Sequence, residues 1–371
     1  MMSKLKVMEL CCSPNKGGLE LYYADICNTL HDECDVLQVV GQGSQIAPLL
    51  KQKPVISIKK TARYLPLFAA LKLANVIDKH GIEIIHLHWN HDLTLVVLAK
   101  IFSKNKPKIM LTRHMQFPSR KDSVFHRFLY KNIDHIMAIT QTMAKDLKRF
   151  IPEDVQPTIS VNYLGVSPAK QADKQVIQQR RTQYDADGSH FLIALVGRID
   201  YDKGHEFLLA ALKIAKDKGL PFKALIVGHP MQESYLERLK QKVVDAGLEQ
   251  QMVFTGFVDN PKELMQACDV LILPTIEETF GLVLIEAMSV GIPVIGSNRG
   301  GVPEIISHQK TGLLFESTDA QSLFDALNVL YQSPETALRY ADKGLDVVQD
   351  KFDKQEHLNR LLQTLREVVD A

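Results

Sequence analysis

Apolar positions along this chain follow two alternating rhythms. Short runs rich in β-branched residues, "KLKVMEL", "VLQVV", "IEIIHLH", "KIMLTRH", "HIMAIT" and "TISVNYL", punctuate the first half. A second series, "FLIALVG", "KALIVG", "MVFTGF", "DVLILP", "PVIGS" and "GLLF", begins after position 188. Between the runs of the second series, "HEFLLAALKIAKDKG" and "SYLERLKQKVVDAG" carry apolar residues at helical spacing. Strand-like runs alternating with helices predict parallel βαβ units. Because the alternation restarts, the pattern predicts two doubly wound α/β domains. The segment from Gly165 to Asp187, with "GVSPAKQADKQ" and the start of "DADGS", breaks the pattern and reads as the linker. The tail "KFDKQEHLNRLLQTLREVVDA" predicts a final helix. The first turns of the two halves echo each other, since "SPNKGGLELYYADICNTL" and "IDYDKGHEFLLAALKIAK" each set a Lys-Gly turn between a strand and an amphipathic helix.

Composition narrows the class without changing this architecture. A chain of 371 residues is comfortable as two such domains. Apolar residues make up 46% and charged residues 23%, and no apolar run approaches the roughly 18 residues of a spanning helix. The start "MMSKLKVMELCCSP" reads as a first strand rather than a secretory signal, so the expected location is cytoplasmic. Cys11, Cys12, Cys27, Cys34 and Cys268 form no C-x-x-C pair, which argues against a zinc site or a disulfide framework. The net charge of +1 hides an asymmetry: residues 1–165 hold 22 Lys/Arg against 14 Asp/Glu, and the remainder 22 against 29. A basic front half suits an anionic surface, such as acidic lipid or a phosphorylated substrate, or is simply a solvated face. Basic residues are not interleaved with aromatics on one stretch, so nucleic acid is not expected as a partner.

Three stretches carry candidate chemistry. Gly17 and Gly18 close the turn between the first strand and a helix beginning near Leu19; this is either a phosphate cradle at a helix N-terminus or a tight structural turn. In "VGRIDYDKG", Arg198 and Lys203 lie in a loop at the carboxyl end of a strand, where open α/β sheets bind ligands and where two cations can neutralise a diphosphate. A solvated loop is the alternative. In "DVLILPTIEETFGLVLIEAMSVGIPVIGS" a buried strand ends at Pro274, a polar loop follows, and a helix runs from about Gly281 to Val290. Glu278 then stands in the loop and Glu286 about one and a half turns into the helix. The amides of Phe280, Gly281 and Leu282 point out of that helix start. A carboxylate inside "LVLIEAM" is costly unless it accepts hydrogen bonds, and sugar hydroxyls are suitable donors. Capping of a neighbouring helix by Glu286, and helix-dipole chemistry at Glu278, are the structural alternatives.

The combination of "KGGLE", "VGRIDYDKG", "EETFGLVLIEAM" with its two glutamates eight positions apart, and "GGVPEII" followed by "TGLLF", resembles glycosyltransferase family 4, retaining enzymes of the GT-B fold. The resemblance covers nearly the whole chain. It implies two Rossmann-like domains facing a central cleft, with residues 1–168 on the acceptor side, residues 169–352 binding a nucleotide-sugar donor, and the helix of 353–371 crossing back to the first domain. It also implies catalysis without a required metal or other cofactor, using a donor such as a UDP- or GDP-sugar. On the matching positions, Arg198 and Lys203 hold the donor diphosphate, Glu286 bonds the ribose hydroxyls, and Glu278 contacts the donor sugar beside the amides of Phe280 to Leu282. The backbone near Val258 in "FTGFVDN" meets the base, and Gly17 and Gly18 leave room for the phosphates. His114 in "LTRHMQFP" matches the family histidine that points at the transferred sugar. Two departures stand out: Met115 and Gln116 occupy positions where family members often carry Asp, and "YLG" replaces a frequent Asn-Gly before the linker.

The implied reaction is hexosyl transfer with retention to a glycan or lipid-linked acceptor, in lipopolysaccharide or surface polysaccharide synthesis. A nucleotide-sugar epimerase of similar fold, or a nucleotide-sugar binding protein without turnover, are the competing readings. Residues 119–149 cluster Arg and Lys around a helix whose apolar stripe, Val124, Phe125, Phe128 and Leu129, is expected in the core, with its basic face suited to anionic lipid at the inner face of the membrane or to a lipid-linked, phosphate-bearing glycan.

Overall fold

The computed structural model describes residues 4–59, 65–184, 188 and 190–371. The chain divides into two compact units, residues 1–163 with 358–371, and residues 164–357.

The first unit is built on a parallel sheet of seven strands: β1 (Leu5–Cys11), β2 (Cys34–Gly41), β3 (Val55–Ile58), β4 (Ile84–Leu87), β5 (Lys108–Arg113), β6 (His135–Ala138) and β7 (Thr158–Val161). Their order is β3-β2-β1-β4-β5-β6-β7, so the direction of winding reverses between β1 and β4. Its helices are α1 (Gly18–Thr29), α2 (Leu67–His80), α3 (Leu93–Phe102), α4 (Val124–Lys131) and α5 (Gln141–Phe150). Six of the strands coincide with the predicted runs. The seventh, β3, did not stand out because its four residues sit among lysines and form the sheet edge, where charged flanks discourage further pairing.

The second unit carries six parallel strands: β8 (Phe191–Val196), β9 (Phe222–Val227), β10 (Met252–Gly256), β11 (Val270–Leu273), β12 (Val294–Ser297) and β13 (Leu313–Phe315). The order is β10-β9-β8-β11-β12-β13, with its reversal between β8 and β11. The helices here are α6 (Lys174–Gln183), α7 (His205–Asp217), α8 (Glu233–Asp245), α9 (Pro261–Met265), α10 (Leu282–Met288), α11 (Val302–Ile305), α12 (Ala320–Gln332) and α13 (Pro334–Lys351). Leu195, Leu208, Leu212, Ile226, Ile272 and Leu327 are among the fully buried side chains that join sheet to helices.

The stretch read as a linker contains α6. Asp173 caps its first turn by accepting from the Gln175 amide at 2.8 Å, and Arg180 and Arg181 tie it to Glu263 (2.9 Å) and Asp269 (3.1 Å). Its sequence, "KQVIQQRRTQ", has too few apolar residues to show helical periodicity, and the helix is held by ion pairs instead of by a buried stripe. Most of "DADGS" lies outside the described residues.

The last helix, α14 (Lys354–Asp370), returns to the first unit. Leu358, Leu361, Leu365 and Val368 recur at helical spacing and pack with Val7, Ile26, Ile84, Met110 and Met137. Each such buried aliphatic side chain contributes about 1.5–3 kcal/mol, enough to fix the helix there. Among the described residues no helix is long and apolar enough to cross a membrane.

Candidate active site

In the second unit Lys203 and Glu278 meet where β8 and β11 end. After β8 the chain passes Arg198, turns through Tyr201–Lys203 and enters α7 at Gly204. Gly204 has φ +75°, and a Cβ there would fall 1.9 Å from the carbonyl oxygen of Pro274, so only glycine lets this loop lie against the end of β11. The Ile276 amide donates to the Asp202 carbonyl at 3.2 Å, binding the two loops together. Across that junction the Lys203 ammonium donates to Glu278 Oε2 at 3.0 Å, with both side chains mostly buried.

Glu278 is itself held from below. Its second oxygen accepts from the Thr279 amide at 3.1 Å, and its carbonyl accepts from the Gly301 amide at 2.8 Å. Gly300, with φ +60°, packs so closely that a Cβ would lie 1.9 Å from that carbonyl oxygen. The Gly-Gly pair after β12 therefore seats the backbone of Glu278.

Glu286 lies in the second turn of α10, whose N-cap is Gly281 at φ +102°. Its neighbours Leu284, Ile285, Ala287 and Met288 are buried, while Glu286 is half-buried. Burial pushes its carboxyl above the ordinary range, opposed only in part by Lys262. Among the described residues no group hydrogen-bonds that carboxylate. Of the neighbouring positions, Phe280 turns its ring into the core against Phe352, Leu282 is half-buried at the start of α10, and Val258 lies half-buried in the loop after β10. Arg198 does not join the Lys203–Glu278 pair; its guanidinium reaches Met231 Sδ at 3.7 Å. A separate cavity of about 460 Å³, lined by Asn298, His308, Phe315, Asp325 and Val329, follows the edge strand β13 and contains none of these residues.

In the first unit Gly17 caps α1 in extended conformation, and its amide donates to Glu20 Oε2 at 2.9 Å. The other oxygen of Glu20 accepts a short hydrogen bond from Ser13. The protein's own carboxylate thus occupies the amide that the turn was expected to offer a phosphate, whereas the space beside Gly18 is open.

His114 follows β5 directly and is half-buried. Tyr22 meets its ring edge-on at 4.7 Å, and His88, just past β4, lies nearly parallel to it at 5.9 Å with 23° between planes. Beneath them sits a cluster the sequence reading did not single out. Glu9, His86 and His88 are buried; Glu9 Oε1 contacts His86 Nδ1 at 3.0 Å and Oε2 contacts His88 Nε2 at 2.6 Å. The far nitrogen of His86 meets Thr112 Oγ1 at 2.7 Å. Burial acts to raise the Glu9 carboxyl, but the charge of His86 and the hydrogen bonds from both rings outweigh it and hold it down to about 2. Burial, reinforced by His86, lowers His88 to about 4. A carboxylate and two imidazoles form a donor set a transition metal could take, yet here each facing atom is already spent in a hydrogen bond. The available signals were "MELCC", which puts a glutamate into an apolar strand, and the alternate histidines of "IIHLHW".

Helix α4 differs from expectation. Leu129 and Tyr130 are buried, but Val124, Phe125 and Phe128 are exposed, Val124 by 86%. Gln116, which with Met115 departs from the family pattern after His114, gives its carbonyl to a short hydrogen bond from the buried Arg113.

Comparison with known proteins agrees with this architecture. The family model for "Glycosyltransferase Family 4" matches residues 16–170, and that for "Glycosyl transferases group 1" matches residues 176–346. The chain is 23% identical over 370 residues to N-acetyl-alpha-D-glucosaminyl L-malate synthase of Bacillus anthracis, covering 95% of this chain and 94% of that one. It is 23% identical to the lipopolysaccharide core biosynthesis mannosyltransferase LpcC of Rhizobium leguminosarum bv. viciae, over 72% of this chain and 73% of that one. Among solved structures, Anabaena Alr3699/HepE in complex with UDP and glucose superposes with a TM-score of 0.84 at 21% identity, over 98% of this chain and 99% of that one. The fold is therefore GT-B, with two Rossmann-like domains and a C-terminal helix.

Proposed function

The chain belongs to glycosyltransferase family 4, and from that premise we propose that it is a retaining, metal-independent enzyme that moves a hexose-type sugar from a nucleotide-sugar to a glycan or lipid-linked acceptor. The observation that carries the reading is Glu286, a carboxylate raised by burial that no described group hydrogen-bonds. Such a group is expensive without donors, and a ribose diol supplies two.

The remaining roles follow from the family resemblance. Lys203 and Arg198 lie at the carboxyl end of β8, beside the strand reversal where open α/β sheets take their ligands. As the bond from the anomeric carbon to the leaving phosphate stretches, negative charge grows on the diphosphate, and these two cations stabilise it. Glu278 exchanges Lys203 for the donor sugar's hydroxyls, with the amides of Phe280 to Leu282 beside it. The backbone near Val258 meets the base, and the open space at Gly18 admits the phosphates. His114 faces the transferred sugar. In a front-face displacement the acceptor oxygen bonds the anomeric carbon, the leaving phosphate takes the acceptor's proton, and the configuration is retained. No cofactor enters the reaction.

The acceptor is proposed to belong to lipopolysaccharide or surface polysaccharide synthesis, a reading supported by the relative named for lipopolysaccharide core synthesis. A UDP-sugar is the first donor to test, because a structure of similar fold was solved with UDP and glucose and again with UDP-glucose. We place the enzyme in the cytoplasm, peripherally bound to anionic lipid at the inner membrane face. What supports this is the exposed apolar edge of α4, Val124, Phe125 and Phe128, in a segment, 65–131, that holds 11 Lys/Arg against 4 Asp/Glu.

The test is release of UDP, GDP or ADP from a panel of nucleotide-sugars, with Glu286→Ala and Lys203→Ala as controls. Release from one donor, abolished by both changes, is the expected result. Conversion of a donor to an isomer without nucleotide release would replace this reading with an epimerase; donor binding without any turnover would replace it with a binding protein.

A further inference from the structure

The cluster under His114 has two histidines with different employment. Both nitrogens of His86 are used, one on Glu9 in β1 and one on Thr112 in β5, so His86 braces three adjacent strands. His88 uses one. Its Nε2 faces Glu9, and its Nδ1 is buried without a hydrogen-bond partner among the described residues. At neutral pH a histidine lowered to about 4 is uncharged, so the single ring proton sits on Nε2 and is donated to the Glu9 carboxylate.

Strand bracing does not explain His88. Its ring lies beyond β4 and contacts other rings: His86 at 4.2 Å, Tyr23 at 5.3 Å, Tyr22 at 5.6 Å and His114 at 5.9 Å. Tyr23 is fixed by its hydroxyl, which donates to the Val39 carbonyl at 3.0 Å. A buried carboxylate is a poor stability device, since its desolvation cost has to be offset by the hydrogen bonds it accepts. What the hydrogen bond from Nε2 does secure is the plane of a ring packed nearly parallel to His114, with Tyr22 meeting His114 edge-on.

We infer that Glu9 and His88 form a positioning pair for His114: the carboxylate fixes the His88 ring, and that ring together with Tyr22 fixes the imidazole that faces the reacting sugar. The inference rests on the role given to His114 above. Glu9 and His88 are buried and act only through His114. A misplacement of a reacting group by about 1 Å costs up to about 100-fold in rate, so loss of the pair is read in kcat.

The experiment uses the full-length protein with histidine-specific ¹³C labelling and compares His88→Phe, His88→Gln and Glu9→Gln with His114→Ala. His88→Phe keeps a ring and removes the donor to Glu9; His88→Gln returns an N–H donor at similar reach. Expected for His88→Phe are a kcat reduced about 10-fold or more, a donor KM within about twofold of wild type, and shifted or broadened His114 ring resonances. His88→Gln should recover part of the kcat, and Glu9→Gln should move kcat and the resonances in the same direction as His88→Phe.

Unchanged His114 resonances in folded His88→Phe overturn the inference, as does a loss seen only in KM or only in thermal stability. If His88→Phe fails to fold, Glu9→Gln and His88→Gln carry the same comparison. If His114→Ala retains full turnover, the catalytic reading of His114 fails, while the resonances still decide whether the pair positions it.

Discussion

The Lys203 ammonium lies 3.0 Å from Glu278 Oε2, so the two groups assigned to donor phosphate and donor sugar neutralise each other before any donor arrives. On the proposed roles, donor binding exchanges this ion pair for a charge-assisted contact between Lys203 and phosphate. Removing the competitor separates the two roles. Glu278→Gln should bind free nucleoside diphosphate several-fold more tightly in calorimetry while sugar transfer falls, and Lys203→Ala should lose on the order of 10²-fold in kcat/KM. Weaker diphosphate binding by Glu278→Gln would mean that the pair aligns Lys203 instead of competing for it.

Glu286 gives a pH-dependent signature. Its carboxyl is raised by burial, so the folded protein holds a proton there that the unfolded chain has already lost, and stability falls as pH rises through that interval. Glu286→Gln removes the penalty. Without ligand, the variant should melt above wild type at pH 8, with the difference shrinking as pH falls toward 4, followed by thermal unfolding across pH. The same change should weaken donor binding, because an amide accepts fewer hydrogen bonds from a diol than a carboxylate does. A constant difference across pH would assign the effect to packing.

Much of this arrangement was legible because parallel strands buried on both faces leave continuous apolar runs, and the loops that follow them are where ligands bind. All six strands of the second unit and six of the seven in the first coincide with such runs. Helix α6 was not, because ion pairs to Glu263 and Asp269 hold it and these partners lie more than 80 residues away. The cluster at Glu9 was not for a related reason: its members sit at residues 9, 86, 88 and 112, and only the adjacency of β1, β4 and β5 brings them together. Nor does a sequence say that Glu20 of the same turn will fill the amide at Gly17.

The Gly-Gly turn supplies a packing test. At Gly300 a side chain meets the Glu278 carbonyl and the backbone is left-handed; at Gly18 a Cβ meets nothing within 4 Å. Gly300→Ala should therefore be destabilised by about 1–3 kcal/mol and lose most transfer activity through displacement of Glu278. Gly18→Ala should stay within about 1 kcal/mol of wild type. Chemical denaturation and a transfer assay on both variants check this. Equal effects would show that the space at Gly18, not the seat of Glu278, limits the reaction.

The exposed edge of α4 offers a test of the proposed membrane contact. Val124, Phe125 and Phe128 point outward although the neighbouring Leu129 and Tyr130 are buried, and α2, packed on α3, likewise exposes Phe68 by 86% and Leu71 by 47%. Exposed apolar side chains among surplus Lys and Arg match the requirements of an interfacial helix on anionic lipid, where buried apolar area adds to electrostatic attraction of about 1 kcal/mol per basic residue. Both terms can be removed separately. Phe125→Asp with Phe128→Asp should abolish co-sedimentation with vesicles containing acidic lipid, and Lys121→Ala with Arg127→Ala should weaken it several-fold. Raised salt should weaken wild-type binding and leave nucleotide release from a soluble donor unchanged. Binding indifferent to salt and to acidic lipid would remove the membrane from the proposal and leave a soluble glycan as the acceptor.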